Sequence, residues 1–194
     1  MNWSARNARR GGLRRWLQAP GSLSARLVAT GQHFTVQVLH QGREPLSVDE
    51  ACALGKPGHR LGYAREVVLR VDGVPLVFAR SVTTHADSLG AWRSLRGLGS
   101  RPLADVLFRC AGITRQPLEF ASLLRQGRLQ RQVCTRWLGA TGDDAAQVAF
   151  PARRSVFVRR RAALLVMEVF AAPVVHWVWS DTVSNVKTTR RGRV

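Results

Sequence analysis

The sequence predicts an α+β fold: a single antiparallel β-sheet with helices packed on it. Three observations carry that prediction. The stretches YAREVVLRVDGVPLVFARS (residues 63 to 81) and RRSVFVRRRAALLVMEVFAAP (153 to 173) each read as two strands joined by a tight turn, a spacing that makes neighbours antiparallel. Between them lie short runs with helical spacing, punctuated by Pro and Gly, and none of the long crossovers that parallel strands need.

In chain order, residues 1 to 12 are basic and free of acidic side chains, so they are expected to form a disordered tail. LRRWLQAPGSLSARLVATG gives a short helix, a break at Pro20-Gly21 and a second helix with Ser22 as its N-cap. HFTVQVLHQG alternates as a strand, and residues 43 to 62, rich in Gly, Pro and polar side chains, read mostly as loop with one helical turn. SLGAWRSLRGLG has helical spacing and stops at Gly97 to Gly99; SRPLADVLF begins another helix, with Ser100 capping and Pro102 near its first position. Residues 121 to 150, which include GATGDDAAQ, are expected to be an insertion or flap within a domain spanning 13 to 173. Residues 174 to 194 form an extension expected to be flexible.

The first hairpin poses an electrostatic problem. Asp72-Gly73 favours a type I′ turn, which needs positive φ at both central positions. With that turn, Val71 faces Val74, Leu69 faces Leu76, Val67 faces Phe78 and Arg65 faces Arg80, all on one face of the sheet. Two guanidiniums placed so repel by roughly 3 kcal/mol at an effective dielectric constant of about 20. An anion between them would reverse the sign. Otherwise the tips diverge towards solvent, or a bulge slips the register by one residue and turns Arg80 to the other side.

A net charge of +18 and a pI near 11.8 raise nucleic acid as a partner. The distribution weakens that reading, because many arginines lie in the terminal segments SARNARRGGLRR and TTRRGRV, and RRR at 159 to 161 reads as a solvated turn. Cys52, Cys110 and Cys134 are widely spaced with no CxxC pair, which indicates reduced thiols in a cytoplasmic compartment rather than a disulfide framework or zinc site. The N-terminus lacks the apolar core of a secretory signal, although its Arg-rich, acid-free start could mimic an organelle transit peptide. The longest apolar run, AALLVMEVFAAPVVHWVW, holds Glu168, Pro173 and His176, so it reads as a buried strand followed by a loop rather than a membrane span.

No GxSxG elbow, HExxH helix, phosphate loop or dinucleotide fingerprint occurs, and His33, His40, His59, His85 and His176 lack metal-ligand spacing. His85, Asp87 and Ser88 read as a helix cap. Glu168 stands out: in LLVMEVF it shares a strand face with Leu164, Val166 and Phe170. If that face is the core, its carboxyl either meets a cation or takes up a proton; on an edge strand the face would be wet. A buried acid beside inward arginines makes an anion pocket on a sheet face that calls for no cofactor.

In the order WLQAPGSLSARL, YAREVVLRVDGVPLVFARSV, LGSRPLADVLF, ITRQPLEF and RRSVFVRRRAALLVMEVFAAP, these segments resemble chorismate lyase, the family that converts chorismate to 4-hydroxybenzoate and pyruvate at the head of ubiquinone synthesis. The likeness covers roughly residues 13 to 173, apart from 121 to 150. It implies a chorismate lyase-like sheet and chemistry without cofactor or metal. By that resemblance Arg65 holds a substrate carboxylate and Glu168 lies near the 4-hydroxyl end of the ring; Arg80, from its place opposite Arg65 in the hairpin, is expected to support Arg65. Leu103 then contacts the ligand through its backbone, and Leu23 stands where the family can have a pocket-lining methionine. Three departures are Met167 before Glu168, where a small hydroxyl residue is common, a longer 121 to 150 segment, and a tail after Pro173 without a counterpart.

Chorismate and 4-hydroxybenzoate are therefore the expected small-molecule partners of a cytoplasmic monomer, with no nucleic acid and no stable membrane insertion. Two other readings compete. The same fold resembles the effector-binding domains of bacterial transcription regulators, which bind small ligands without chemistry, although no room is expected here for a helix-turn-helix domain. A basic nucleic-acid-binding protein is the third reading, and it predicts binding that falls steeply with salt.

Overall fold

The computed structural model describes residues 3–7, 9–108, 110–123, 127–142 and 150–171. Seven antiparallel strands form one sheet: β1 (Phe34–Pro45), β2 (Leu61–Val71), β3 (Val74–Thr84), β4 (Ile113–Arg115), β5 (Glu119–Leu123), β6 (Phe150–Arg159) and β7 (Ala162–Phe170). Their order is β1-β2-β3-β7-β6-β4, and β5 pairs with β6 as well. The helices are α1 (Gly11–Gln18), α2 (Leu23–Val28), α3 (Val48–Ala53), α4 (His85–Leu89), α5 (Ala104–Leu107) and α6 (Arg128–Thr141). This is the α+β arrangement that the hairpin spacing predicts. Among the described residues no helix is long and apolar enough to cross a membrane.

Both faces of the sheet are covered. On the front, Trp16 and Leu17 of α1 with Leu23 and Leu27 of α2 pack on Val67, Leu69 and Phe170. Further along the same face, Trp92, Leu95, Leu98 and Leu107 cover Tyr63, Phe157 and Leu164. On the back, Val133 and Trp137 of α6 lie over Val68, Phe78, Met167 and Val169, and Ala51 and Leu54 flank Ala64, Val82 and Leu165. Period-two alternation on β2, β3, β6 and β7 feeds these two cores separately.

Local chemistry sets the helix starts. Ser22 Oγ accepts from Ala25 N at 3.0 Å, as its N-cap position predicts. Ser47 and Glu50 form a capping box on α3, and Thr84 caps α4 by accepting from Asp87 N, so the His85–Ser88 cluster belongs to a helix start. The expectation for Ser100 is corrected: α5 begins later, its N-cap is Leu103, and no side chain caps it.

Two expectations about segments also change. Residues near the N-terminus are not a free tail, because Ser4 pairs with Phe120 on the outer edge of β5 through bonds of 3.0 and 2.8 Å, and Trp3 packs on the back core. An unpaired strand edge and an indole explain the docking better than charge does. Within 121 to 150, the described parts, β5 and α6, complete the sheet and cover its back, opposite the Arg65 face. Residues 174 to 194 lie outside the described residues.

The β2–β3 turn forms at Asp72-Gly73 with φ of 49° and 82°. Beyond it the pairing runs Val71 with Val74 and Arg70 with Pro75, then shifts, so that Leu69 pairs with Val77, Glu66 with Arg80 and Arg65 with Ser81. Leu76 is the extra residue, and its carbonyl accepts from Ala171 N at 2.9 Å instead. The predicted Arg65–Arg80 apposition is thus corrected by a bulge. Arg80 faces a carboxylate, and the repulsion disappears.

Candidate active site

A cavity on the front face is lined by Leu23, Arg65, Ser81, Leu103, Arg115, Phe157 and Glu168, among others. Its floor follows from the register. Arg65, Ser81, Val166 and Ser155 form one cross-strand row over β2, β3, β7 and β6, and Val67, Ala79, Glu168 and Arg153 form the next. Two strand spacings and two residues separate Arg65 from Glu168, roughly 12 Å between Cα positions in a flat sheet. Their side chains thus reach a small ring from different sides.

Arg65 is 2% exposed, and its Nη2 donates to the carbonyls of Gly99 (2.8 Å) and Arg101 (3.1 Å) in the loop before α5. Its buried Nε has no partner among the described residues. Burial pulls its pKa down to about 10, against a small opposing effect of Tyr63. It remains a cation at neutral pH, with a donor left over in a desolvated place. An anionic ligand would satisfy it.

Glu168 does find a cation, though not one the sequence reading named. Arg153, directly opposite on β6, meets Glu168 Oε2 through its Nε. Its Nη1 donates to the carbonyls of Trp16, Leu17 and Ala19 at 3.2, 3.1 and 3.0 Å. A single buried guanidinium therefore ties the end of α1 to the acid of the cavity. A signal existed: a two-residue turn at Arg160-Arg161 places residue 153 opposite 168. Arginine seldom takes the positive φ of 50° and 64° found there, so RRR at 159 to 161 reads as a turn without showing which two residues form it, and the register stays hidden.

Arg115 is the second residue missed. Its guanidinium lies 5.3 Å from the Phe157 ring centroid, and burial together with the Arg153 charge lowers its pKa, opposed by Glu168. Its edge-strand position, in a segment without clear periodicity, hid it. Phe108, edge-on to Phe157 at 6.2 Å between centroids and 47% exposed, stands at the cavity mouth.

Arg80, expected at the same site, lies on the opposite face. It donates to Glu50 Oε1 at 2.7 Å, Glu66 Oε1 at 2.8 Å and Glu44 Oε2 at 2.9 Å. Burial works against its charge, but Glu50 and Glu44 outweigh it and hold the pKa above its ordinary value. A cavity of about 320 Å³ adjoins this cluster, larger than the front one at about 50 Å³. Charge decides between them. Glu44, Asp49, Glu50, Arg80 and Arg154, the charged residues lining the back cavity, are all ion-paired, whereas the front cavity holds the unsatisfied Nε atoms of Arg65 and Arg115.

Solved structures share the fold. PhnF from Mycobacterium smegmatis has a TM-score of 0.57 at 17% identity, covering 80% of this chain and 65% of that one. A PhnF C-terminal domain gives 0.53 at 20% identity, covering 75% and 87%. At the level of sequence, the chain is 60% identical over 190 residues to a probable chorismate pyruvate-lyase of Albidiferax ferrireducens, covering 98% of this chain and 94% of that protein. It is 42% identical to a probable chorismate pyruvate-lyase of Aromatoleum aromaticum over 163 residues, covering 84% and 86%. A family profile described as chorismate lyase matches residues 9–180, running through the 121 to 150 segment and past residue 173. With an unsatisfied arginine and a clamped glutamate on one sheet face, and that profile spanning nearly all of its length, the chain belongs to the chorismate lyase family.

Proposed function

We propose that this chain removes the enolpyruvyl group of chorismate to give 4-hydroxybenzoate and pyruvate, the opening step of ubiquinone synthesis, as a cytoplasmic monomer. The observation that supports it most is the charge pattern of the front cavity: Arg65 with a free donor on one side, and Glu168 held by Arg153 on the other. Every group in that pattern comes from one chain.

The reaction balances between substrate and products. The ether bond at C3 breaks, C4 loses its hydrogen, the ring becomes aromatic, and the released enolpyruvate takes up a proton to become pyruvate. No oxidant or reductant enters, so the protein's share is placement and proton handling. Arg65 takes the ring carboxylate on its free donor, beside the backbone of Leu103. Leu23 packs on the ring. Glu168, with Oε2 engaged by Arg153, offers Oε1 to the 4-hydroxyl end. Arg80 serves the sheet rather than the ligand.

Incubation with chorismate, followed by 4-hydroxybenzoate absorbance, tests this directly. Arg65→Ala should lower kcat/KM by tenfold or more, as loss of a charge-assisted contact worth about 1.5 to 3 kcal/mol requires. Wild-type kcat/KM in that variant would overturn the assignment of Arg65. Binding of 4-hydroxybenzoate with no turnover of chorismate would favour a non-catalytic binding domain.

A further inference from the structure

Arg115 is the cation of the front cavity to which the proposed reaction has so far given no task, and a role for it in catalysis rests on that reaction. Its Nη1 donates to Gly21 O over a long 3.3 Å, and its buried Nε has no partner among the described residues. Arg153, already committed to Glu168 and three carbonyls, repels it. A guanidinium partly withdrawn from water, with its Nε buried, beside a like charge and short of acceptors, is relieved by an anion.

Chorismate carries two carboxylates, one on the ring and one on the enolpyruvyl ether, and 4-hydroxybenzoate keeps only the first. Arg65 enters the cavity from β2 and Arg115 from β4, four strand spacings away, roughly 19 Å between Cα positions in a flat sheet. The two cations thus approach a ligand from opposite banks, and Arg115 lies on the bank that holds Glu168 and Arg153. We propose that Arg115 binds the enolpyruvyl carboxylate of the substrate, leaving the ring carboxylate to Arg65. Once the C3 ether bond breaks, that carboxylate departs with pyruvate. Arg115 then holds substrate and not aromatic product, which makes it a specificity-determining residue.

The test separates substrate from product affinity. Arg115→Gln should raise the KM for chorismate about tenfold or more while the Kd of 4-hydroxybenzoate stays within about twofold of wild type, and Arg115→Lys should recover part of the loss. Equal weakening of both ligands, or of neither, overturns the proposal. A wild-type measurement guards against a variant that fails to fold. 3-(Carboxymethoxy)-4-hydroxybenzoate, which adds a second carboxylate at the ether position, should bind about tenfold more tightly than 4-hydroxybenzoate; no advantage overturns the proposal. Absence of chorismate turnover by the wild type would sink the reaction itself, while the comparison of these two aromatic acids still decides what Arg115 binds.

Discussion

Arg153→Met removes the cation on which the cavity and the N-terminal helices converge. Its Nη1 carries two protons for three acceptors, the carbonyls of Trp16, Leu17 and Ala19, while its Nε meets Glu168. Those carbonyls end α1, where intrahelical donors run out and a positive charge complements the helix dipole. Methionine replaces most of the aliphatic stem, so the cost is dominated by a buried pair broken from one side, about 3 to 5 kcal/mol. For a chain of this length each kcal/mol moves Tm by about 2 to 4 °C, so Tm should fall by roughly 6 to 20 °C. Urea unfolding followed by tryptophan fluorescence should show a lower midpoint with an unchanged m-value. Adding Glu168→Gln to Arg153→Met should restore part of the stability, because no uncompensated carboxylate remains. A loss below about 1 kcal/mol for Arg153→Met alone would refute the claim that this arginine holds the site together.

Other perturbations probe the back of the sheet, the hairpin turn and the Arg65 charge. Arg80→Met should destabilise by about 3 to 5 kcal/mol in chemical denaturation, since it removes the buried cation shared by Glu44, Glu50 and Glu66 and leaves Glu66 to Arg136 and Gln132, yet keep the chorismate KM of the folded protein, because Arg80 lies off the front cavity. Asp72→Ala should cost about 1 to 3 kcal/mol, measured the same way: the Asp72 carboxylate accepts from Gln32 N at 3.0 Å and His33 N at 2.7 Å, and alanine fits poorly at a φ of 49°. Benzoate affinity, measured by calorimetry, should be steady up to about pH 9 and fall as pH rises through about 10. The sign comes from Arg65, whose lowered pKa means that the cation an anion needs is present below about 10 and lost above it.

Much of this architecture is legible in the sequence because its signals are local. The Asp72-Gly73 turn, the Ser22 cap and the alternation in LLVMEVF each depend on neighbours within a few residues, and each leads to the right element. Arg65, Glu168, Leu23 and Leu103, placed by resemblance, line one cavity. Arg80 fails for a physical reason: Leu76, as a bulge, reverses which face every later β3 residue occupies, and nothing local distinguishes it from a paired leucine. Arg153 and Arg115 escape notice because their partners lie across strands, where register rather than spacing decides contact. The extreme positive charge suggests tails and turns, yet Arg65, Arg80, Arg153 and Arg154 are buried.

A crystal structure with 4-hydroxybenzoate tests the central claim most directly. The ring should occupy the front cavity, with its carboxylate on Arg65 and its 4-oxygen within hydrogen-bond distance of Glu168. A ligand bound instead in the back cavity beside Glu50 and Arg80, or in the front cavity without contact to Arg65, would contradict it.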